Sequence, residues 1–332
     1  MKSRRDFLKE TAAGAFLLGA QNKFASAIAL NQTTHAGKSR IIKATDESLR
    51  GQRNQPDEKR VLDLLDRAMA AYTGRDKPVE AWKRILPRDG QVIGLKINCA
   101  GSKGISTHPV LIDAIAERLQ QAGIRPGNIV VWDLSAKWLE SAGFSIKTDP
   151  NRVRYYGGDT AGWEEEPVAC GPVKIHLAKI LTRECAMVIN LPVLKEHGMT
   201  GVTFAMKNLY GAVQHPQDLH SGRGNPGVAD LHRIPVVRNK VWFTVGDAIS
   251  AQYEGGPGFR PEHVWYSNAL IVGEDRVALD TIAWQLLDRK REEIGLPTLE
   301  AAGKPPSFIA TAADSQHNLG TNDPKRISLM EI

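Results

Sequence analysis

Apolar positions recur along this chain at two different periods, and segments of the two kinds alternate. Val61, Leu65 and Met69 fall at four-residue spacing with Leu62 beside them, the stripe of an amphipathic helix over residues 57–72. Gly74 and Pro78 end it. Residues 92–97 form a short apolar run of the kind a buried strand needs. A glycine-rich turn at 100–104 then leads to Thr107 as the expected helix cap, with Pro109 in the first turn, where its missing N–H costs little. Leu111, Ile115 and Leu119 stripe that helix and Gly123 stops it, and residues 128–133 give a second buried strand ending in Asp133. Further strands are predicted at 187–191, 241–246 and 269–272, with a helix at 277–287. Strands alternating with helices predict an α/β fold: a largely parallel sheet with helices on both faces and two lobes around a cleft at the strand ends. Residues 28–56 are polar and unpatterned and read as a tether, which leaves 57–332 as the folded domain.

The N-terminus changes where such a domain is expected to work. Ser3-Arg4-Arg5-Asp6-Phe7-Leu8-Lys9 matches the twin-arginine export signal position by position. A short apolar stretch from Ala12 to Ala20 follows, then Ala25-Ser26-Ala27, the small-x-small pattern that a signal peptidase cuts. The stretch is far shorter than the roughly 20 residues that span a bilayer. Residues 1–27 therefore read as a signal peptide. The expected partners are the twin-arginine translocase and signal peptidase, and the expected location is the periplasm. No later stretch reads as a membrane span.

Charge and cysteines narrow the function classes. The chain has 332 residues and a net charge of +6, and half of that charge leaves with the first 27 residues. The basic balance is thus a property of the signal more than of the domain, and nucleic acid is not an expected partner. Cys99, Cys170 and Cys185 are widely spaced and form no C-x-x-C pair, which excludes a zinc ribbon or a four-cysteine iron–sulfur site within this chain.

The chemistry-bearing residues concentrate between positions 190 and 258. A buried strand runs into Lys195-Glu196-His197, a Gly/Thr segment containing Gly201 and Thr203 follows, and then Lys207-Asn208 stands in apolar surroundings between Met206 and Leu209. A lysine there is costly to bury unless it is paired or covalently used. His215, His220 and His232 come next, two of them in Asp-Leu-His triplets (218–220 and 230–232) whose Asp and His share a face in an extended segment. With His197 they are candidate metal ligands. Asp247, at a strand end, and Glu254, before a glycine loop, are the remaining candidate carboxylates. His108 reads as a helix-start residue.

Three of these stretches carry a resemblance: His197 to Lys207 running on to Asn208-Leu209-Tyr210-Gly211, residues 245–258, and residues 272–280. Together they resemble the bacterial and archaeal family catalogued as domain of unknown function 362, over about residues 90–290. A more distant likeness is to lactate racemase and its relatives. In those, a histidine is followed by glycine at four, Ser or Thr at six and lysine at ten, and the lysine tethers a nickel-pincer nucleotide. Here His197, Gly201, Thr203 and Lys207 match that spacing, while Phe204 and Ala205 replace two glycines and Arg223 stands near the downstream nickel-ligand position. The likeness implies that His197 is an acid/base residue and Lys207 the tether; with the strand-end Asp247 these are the expected catalytic residues, and Lys207, Asn208, Gly201, Thr203 and Glu254 are expected around a metal or nickel-pincer-like cofactor. The function expected is therefore a metal- or metallocofactor-dependent enzyme, redox or isomerase-like. The alternative is a non-catalytic periplasmic binding module that holds a small anionic ligand through Lys207, Arg223 and the glycine loops.

Overall fold

A computed structural model of the chain describes residues 37–87 and 90–332. The expected signal peptide and the first part of the expected tether lie outside the described residues. Residues Lys38–Ile332 make one compact unit, so the strand ends are bordered by loops of that same unit rather than by a second lobe.

The framework is a sheet of 11 strands. In chain order it begins with β1 (Ser39–Thr45), β2 (Ile93–Lys96), β3 (Ile129–Asp133) and β4 (Arg154–Gly157), with β5 (Val168–Cys170) and β6 (Val173–Ile175) forming a separate small hairpin. The chain continues through β7 (Met187–Asn190), β8 (Val193–His197), β9 (Gly201–Thr203), β10 (Val241–Gln252), β11 (Val264–Trp265), β12 (Ala269–Gly273) and β13 (Ile327–Glu331). The path across the sheet runs β13-β1-β12-β10-β7-β2-β3-β4. From β10 to β4 every neighbour is parallel, and β12 is the antiparallel strand that joins this block to β1. The expected α/β class with a largely parallel sheet holds.

The elements that periodicity predicted begin within a residue or two of their places, although β10 and the last long helix run about six residues beyond the expected 246 and 287. The helix α1 spans Glu58–Thr73, capped by the Asp57 carboxylate on Arg60 N and closed by Gly74 in the left-handed region. The helix α2 spans Pro109–Gln121 and α3 spans Arg276–Glu293, the latter capped by Asp275 on Val277 N and Ala278 N. Strand alternation sends Ile93, Leu95, Ile129 and Val131 to the face covered by α1 and α2. Val130, Trp132 and Val188 go to the opposite face, while Ala248, Ala269 and Ile271 pack under α3. Helices therefore cover both faces. Among the described residues no helix is long and apolar enough to cross a membrane.

Two expectations are corrected here. The tether does not extend to residue 56: Ser39–Thr45 is a strand of the sheet, with Ile41 and Ile42 fully buried between β12 and β13. Thr107 is not the cap of α2, a position His108 occupies. The Thr107 hydroxyl accepts from Asn98 N at 2.9 Å and donates to Leu191 O at 2.8 Å, stitching β2 to the end of β7.

Candidate functional site

The parallel strands end in polar side chains that bury themselves against one another. Lys96, last in β2, donates to Asp133 Oδ1, last in β3, at 2.6 Å, and both are almost completely buried. Asp133 Oδ2 accepts from Cys99 N at 2.7 Å. Asn190, last in β7, accepts from Asn208 Nδ2 at 2.8 Å. Asn208 Oδ1 accepts from Asn98 Nδ2 at 2.9 Å, and Asn98 Oδ1 accepts from Lys195 Nζ at 2.8 Å. This amide relay locks the ends of β2, β7 and β8 together and satisfies groups that would otherwise be costly to bury. Asn208 is thus a structural link of the site floor.

Lys207 begins a 3₁₀ turn, Lys207–Ala212, whose start is held from both sides. Asp280 of α3 accepts from Ala205 N at 2.6 Å and Met206 N at 3.1 Å, while His232 Nε2 donates to Met206 O at 2.9 Å. The turn then drives the Lys207 side chain inward. Its ammonium lies 3.5 Å from the centroid of the Tyr210 ring and 3.0 Å from His220 Nε2. His220 Nδ1 faces Pro216 O at 3.0 Å, a group that only accepts, so Nδ1 carries the proton and Nε2 receives the bond from Lys207. His197 stacks on His220 with centroids 5.8 Å apart, and its Nδ1 accepts from Met199 N and Thr200 N. The His197 proton therefore sits on Nε2. As a neutral ring it offers a donor rather than a base's lone pair.

The electrostatics are one-sided. Burial pushes Lys207 well below the ordinary lysine range, and burial pushes Lys195 down to about 7. Burial, followed by the charges of Lys207, His220 and Lys195, holds His197 down at about 3. Among the described residues no carboxylate pairs with Lys207 or Lys195, whereas Lys96 has Asp133. Lys195 and His197 point to the same side of β8, and Thr203 pairs with Lys195 across the β8–β9 hairpin. The Thr203 hydroxyl is buried there without a partner among the described residues. Arg223 closes the rim by donating to Met199 O at 2.9 Å and Gly198 O at 3.2 Å.

The structure thus brings His197, Lys207, Asn208, Thr203 and His220 into one neighbourhood at the strand ends. Gly201 opens β9 opposite His197, with a φ of +76°, and a β-carbon there would lie 2.3 Å from Lys304 O. Other candidates are placed elsewhere. His215 is exposed, and His232 is fully buried with its Nδ1 lacking a polar partner among the described residues. The three candidate metal histidines do not converge: no group of three or more His, Cys, Asp or Glu among the described residues could hold a metal ion. Glu254 pairs with Arg291 and Lys304, anchoring its glycine loop beside β8, where Gly256 N donates to Glu196 Oε2 at 2.7 Å. Asp247 is engaged by His108, accepting from its backbone N at 2.8 Å and from its Nδ1 at 2.9 Å. Sequence reasoning named Lys195 without giving it a role in the site, and missed Asn98 and the ring of His108. The one available signal for the first was its place in a strand between Leu194 and Glu196, where a charged side chain has to be buried.

Comparison with known proteins was made against this geometry. No curated protein matches the sequence. A crystallised protein from Thermotoga maritima, solved by a structural genomics consortium, is similar with a TM-score of 0.43 and 9% identity. The alignment covers 71% of this chain and 59% of that one. The family model described as a domain of unknown function, DUF362, matches residues 93–285, more than half of the chain and all of the strand-end polar network except its C-terminal latch residues Arg291 and Lys304. The chain belongs to the DUF362 family.

Proposed function

We propose that this DUF362 member is exported by the twin-arginine route and binds a small oxyanion, a carboxylate or a phosphate, at the ends of β7–β9. The observation that carries this is Lys207: it is 6% exposed, its ammonium meets only an aromatic face and a neutral imidazole, and no carboxylate offsets its burial among the described residues. A desolvated cation in that position is stabilised by an anion that enters with its own charge. The Nε2–H of His197 and the free hydroxyl of Thr203 supply neutral donors, and Lys195 adds a second titratable amine close enough to act on His197.

A nitrogen-ligated metal ion is less well supported, because the one free lone pair of His220 is turned to Lys207, His215 is exposed and His232 is enclosed in the core. A nucleotide-sized group tethered to Lys207 would have to displace both the Tyr210 ring and His220. Export is supported by the N-terminal motif and by three cysteines that are all buried and free, which suits a chain folded before it leaves a reducing compartment.

Isothermal titration with sulfate and oxalate tests the anion reading, since both probes stay fully ionised from pH 6 to 9. Binding is expected to weaken as pH rises through about 7, where Lys195 loses its proton, and burial moves Lys207 in the same direction. Lys207→Met should abolish binding while the melting temperature holds. Equal affinity in wild type and Lys207→Met would place the site elsewhere.

A further inference from the structure

Asp247 and His108 were separated above from the Lys207 neighbourhood, and their own surroundings carry a second site. The Asp247 carboxylate is fully buried and accepts from Ile249 N at 3.1 Å as well as from His108 N at 2.8 Å. A carboxylate so engaged can only accept from the ring too, so the His108 Nδ1 facing it at 2.9 Å carries the proton. That leaves the Nε2 lone pair, and 3.2 Å from it lies the hydroxyl of Ser250. Arg50 Nη2 donates to the same Ser250 Oγ at 2.7 Å.

Asp247 and Ser250 are three apart on β10 and would face opposite sides of a regular strand. Strand β10 is irregular here: the pairing with β8 slips between Asp247 and Gln252, and this break lets both residues meet one imidazole. Bulges that re-aim a side chain concentrate beside reactive centres. Arg50 is held by further bonds to Ile249 O at 3.1 Å and Asn268 Oδ1 at 3.0 Å, and stacks 3.8 Å over the ring of Tyr266. Tyr266 is 54% exposed, and the comparably exposed Phe259 lies over Gly104 in the loop that leads to His108.

We infer that Asp247, His108 and Ser250 form a nucleophilic serine relay, with Arg50 as the cation beside the reacting oxygen, acting on esters with an apolar acyl or aryl group. The Ser250 oxygen bonds to the ester carbonyl carbon while its proton passes to His108 Nε2. The carbon–oxygen bond to the leaving alcohol breaks, and His108 returns the proton to that alcohol. Water then attacks the acyl-serine carbon, its proton passing through His108 back to Ser250, so that ester and water become acid and alcohol. Asp247 is the positioning residue that fixes the ring and its tautomer. Arg50 offsets the negative charge that grows on oxygen as the proton leaves. This inference stands apart from the anion site, and neither fails with the other.

A fluorophosphonate probe tests it on the whole mature chain. One adduct per chain, mapping to the Ser250 peptide, is expected in the wild type. Ser250→Ala should abolish the adduct. His108→Gln should slow labelling and p-nitrophenyl butyrate hydrolysis by roughly 10²-fold or more with the melting temperature unchanged. Failure of folded wild-type protein to take up the probe at Ser250, which requires no variant, overturns the proposal. So does labelling that proceeds at the same rate in folded His108→Gln.

Discussion

A lysine side chain can be buried in this fold in two ways, and the difference separates scaffold from site. Lys96 is buried with Asp133 and stays a fixed ion pair, whereas Lys195 has only an amide oxygen and the carbonyl of Ile105. Burial therefore pushes Lys195 down to about 7, against an ordinary value of 10.5. Between those values the unfolded lysine binds more protons than the folded one, so raising the pH favours the folded state. Below about 7 the penalty is fully present, and above about 10.5 it is gone. Lys195→Met removes this titration. In buffer without added oxyanion, the stability of wild type relative to Lys195→Met should rise from pH 7 toward 10, at up to about 1.4 kcal/mol per pH unit. Parallel urea denaturation curves for the two proteins would measure it, and a constant difference across that range would mean that Lys195 keeps its proton.

At the scale of elements, the site depends on how closely the Lys207–Ala212 turn approaches the ends of β2 and β3. Gly211 makes that approach possible: a β-carbon there would lie 2.3 Å from Asp133 Oδ1 and 2.7 Å from Lys96 Nζ. These are the two members of a buried ion pair, which cannot swing aside without losing each other. Gly211→Ala should therefore destabilise the protein by about 1–3 kcal/mol through overpacking, seen as a lower urea midpoint with an unchanged slope. It should also weaken sulfate binding, because the turn that aims Lys207 is displaced. Full stability in Gly211→Ala would show that the turn has room to retreat. The same packing accounts for the Lys-Asn-Leu-Tyr-Gly pattern. Lys207 faces the site, Asn208 ties the ends of β2 and β7, Tyr210 covers the Lys207 ammonium and donates to Leu219 O, and Gly211 clears the ion pair.

For the whole molecule, the compact unit from Lys38 to Ile332 brings the loops after β2, β7, β8 and β10 to one end of the sheet, outside the carboxyl ends of the parallel strands. Two polar clusters lie there, one around Lys207 and one around His108. The loop between β2 and α2 serves both, since Asn98 and Ile105 O hold Lys195 while His108 meets Asp247. Where this molecule works is proposed from the N-terminus. Replacing both Arg4 and Arg5 by Lys should leave precursor in the cytoplasm, with little mature protein in the periplasmic fraction. Undiminished periplasmic yield, followed by immunoblot after fractionation, would count against twin-arginine export.

Hydrophobic periodicity is a local property, so the sequence alone determined that strands and helices alternate, where the long helices and five of the sheet's strands lie, and that Lys207 stands in an apolar setting. It also carried the family motifs. It could not reveal β1, because a seven-residue strand with polar Ser39, Arg40 and Lys43 looks like a tether until its place between β12 and β13 puts Ile42 under α1 and Ile41 under α3. Nor could it say which polar residues meet. Asn98 and Asn208 are 110 positions apart, and His108 and Asp247 are 139 apart. A charged or amide side chain at a strand end reads like any loop residue until neighbouring strands take its water away. Whether a lysine then has a carboxylate opposite it, as Lys96 does, or only an amide and a ring, as Lys195 and Lys207 do, is decided by strand order and register. That decision is tertiary because burial and partnership are set by what packs across the sheet, not by what lies next along the chain.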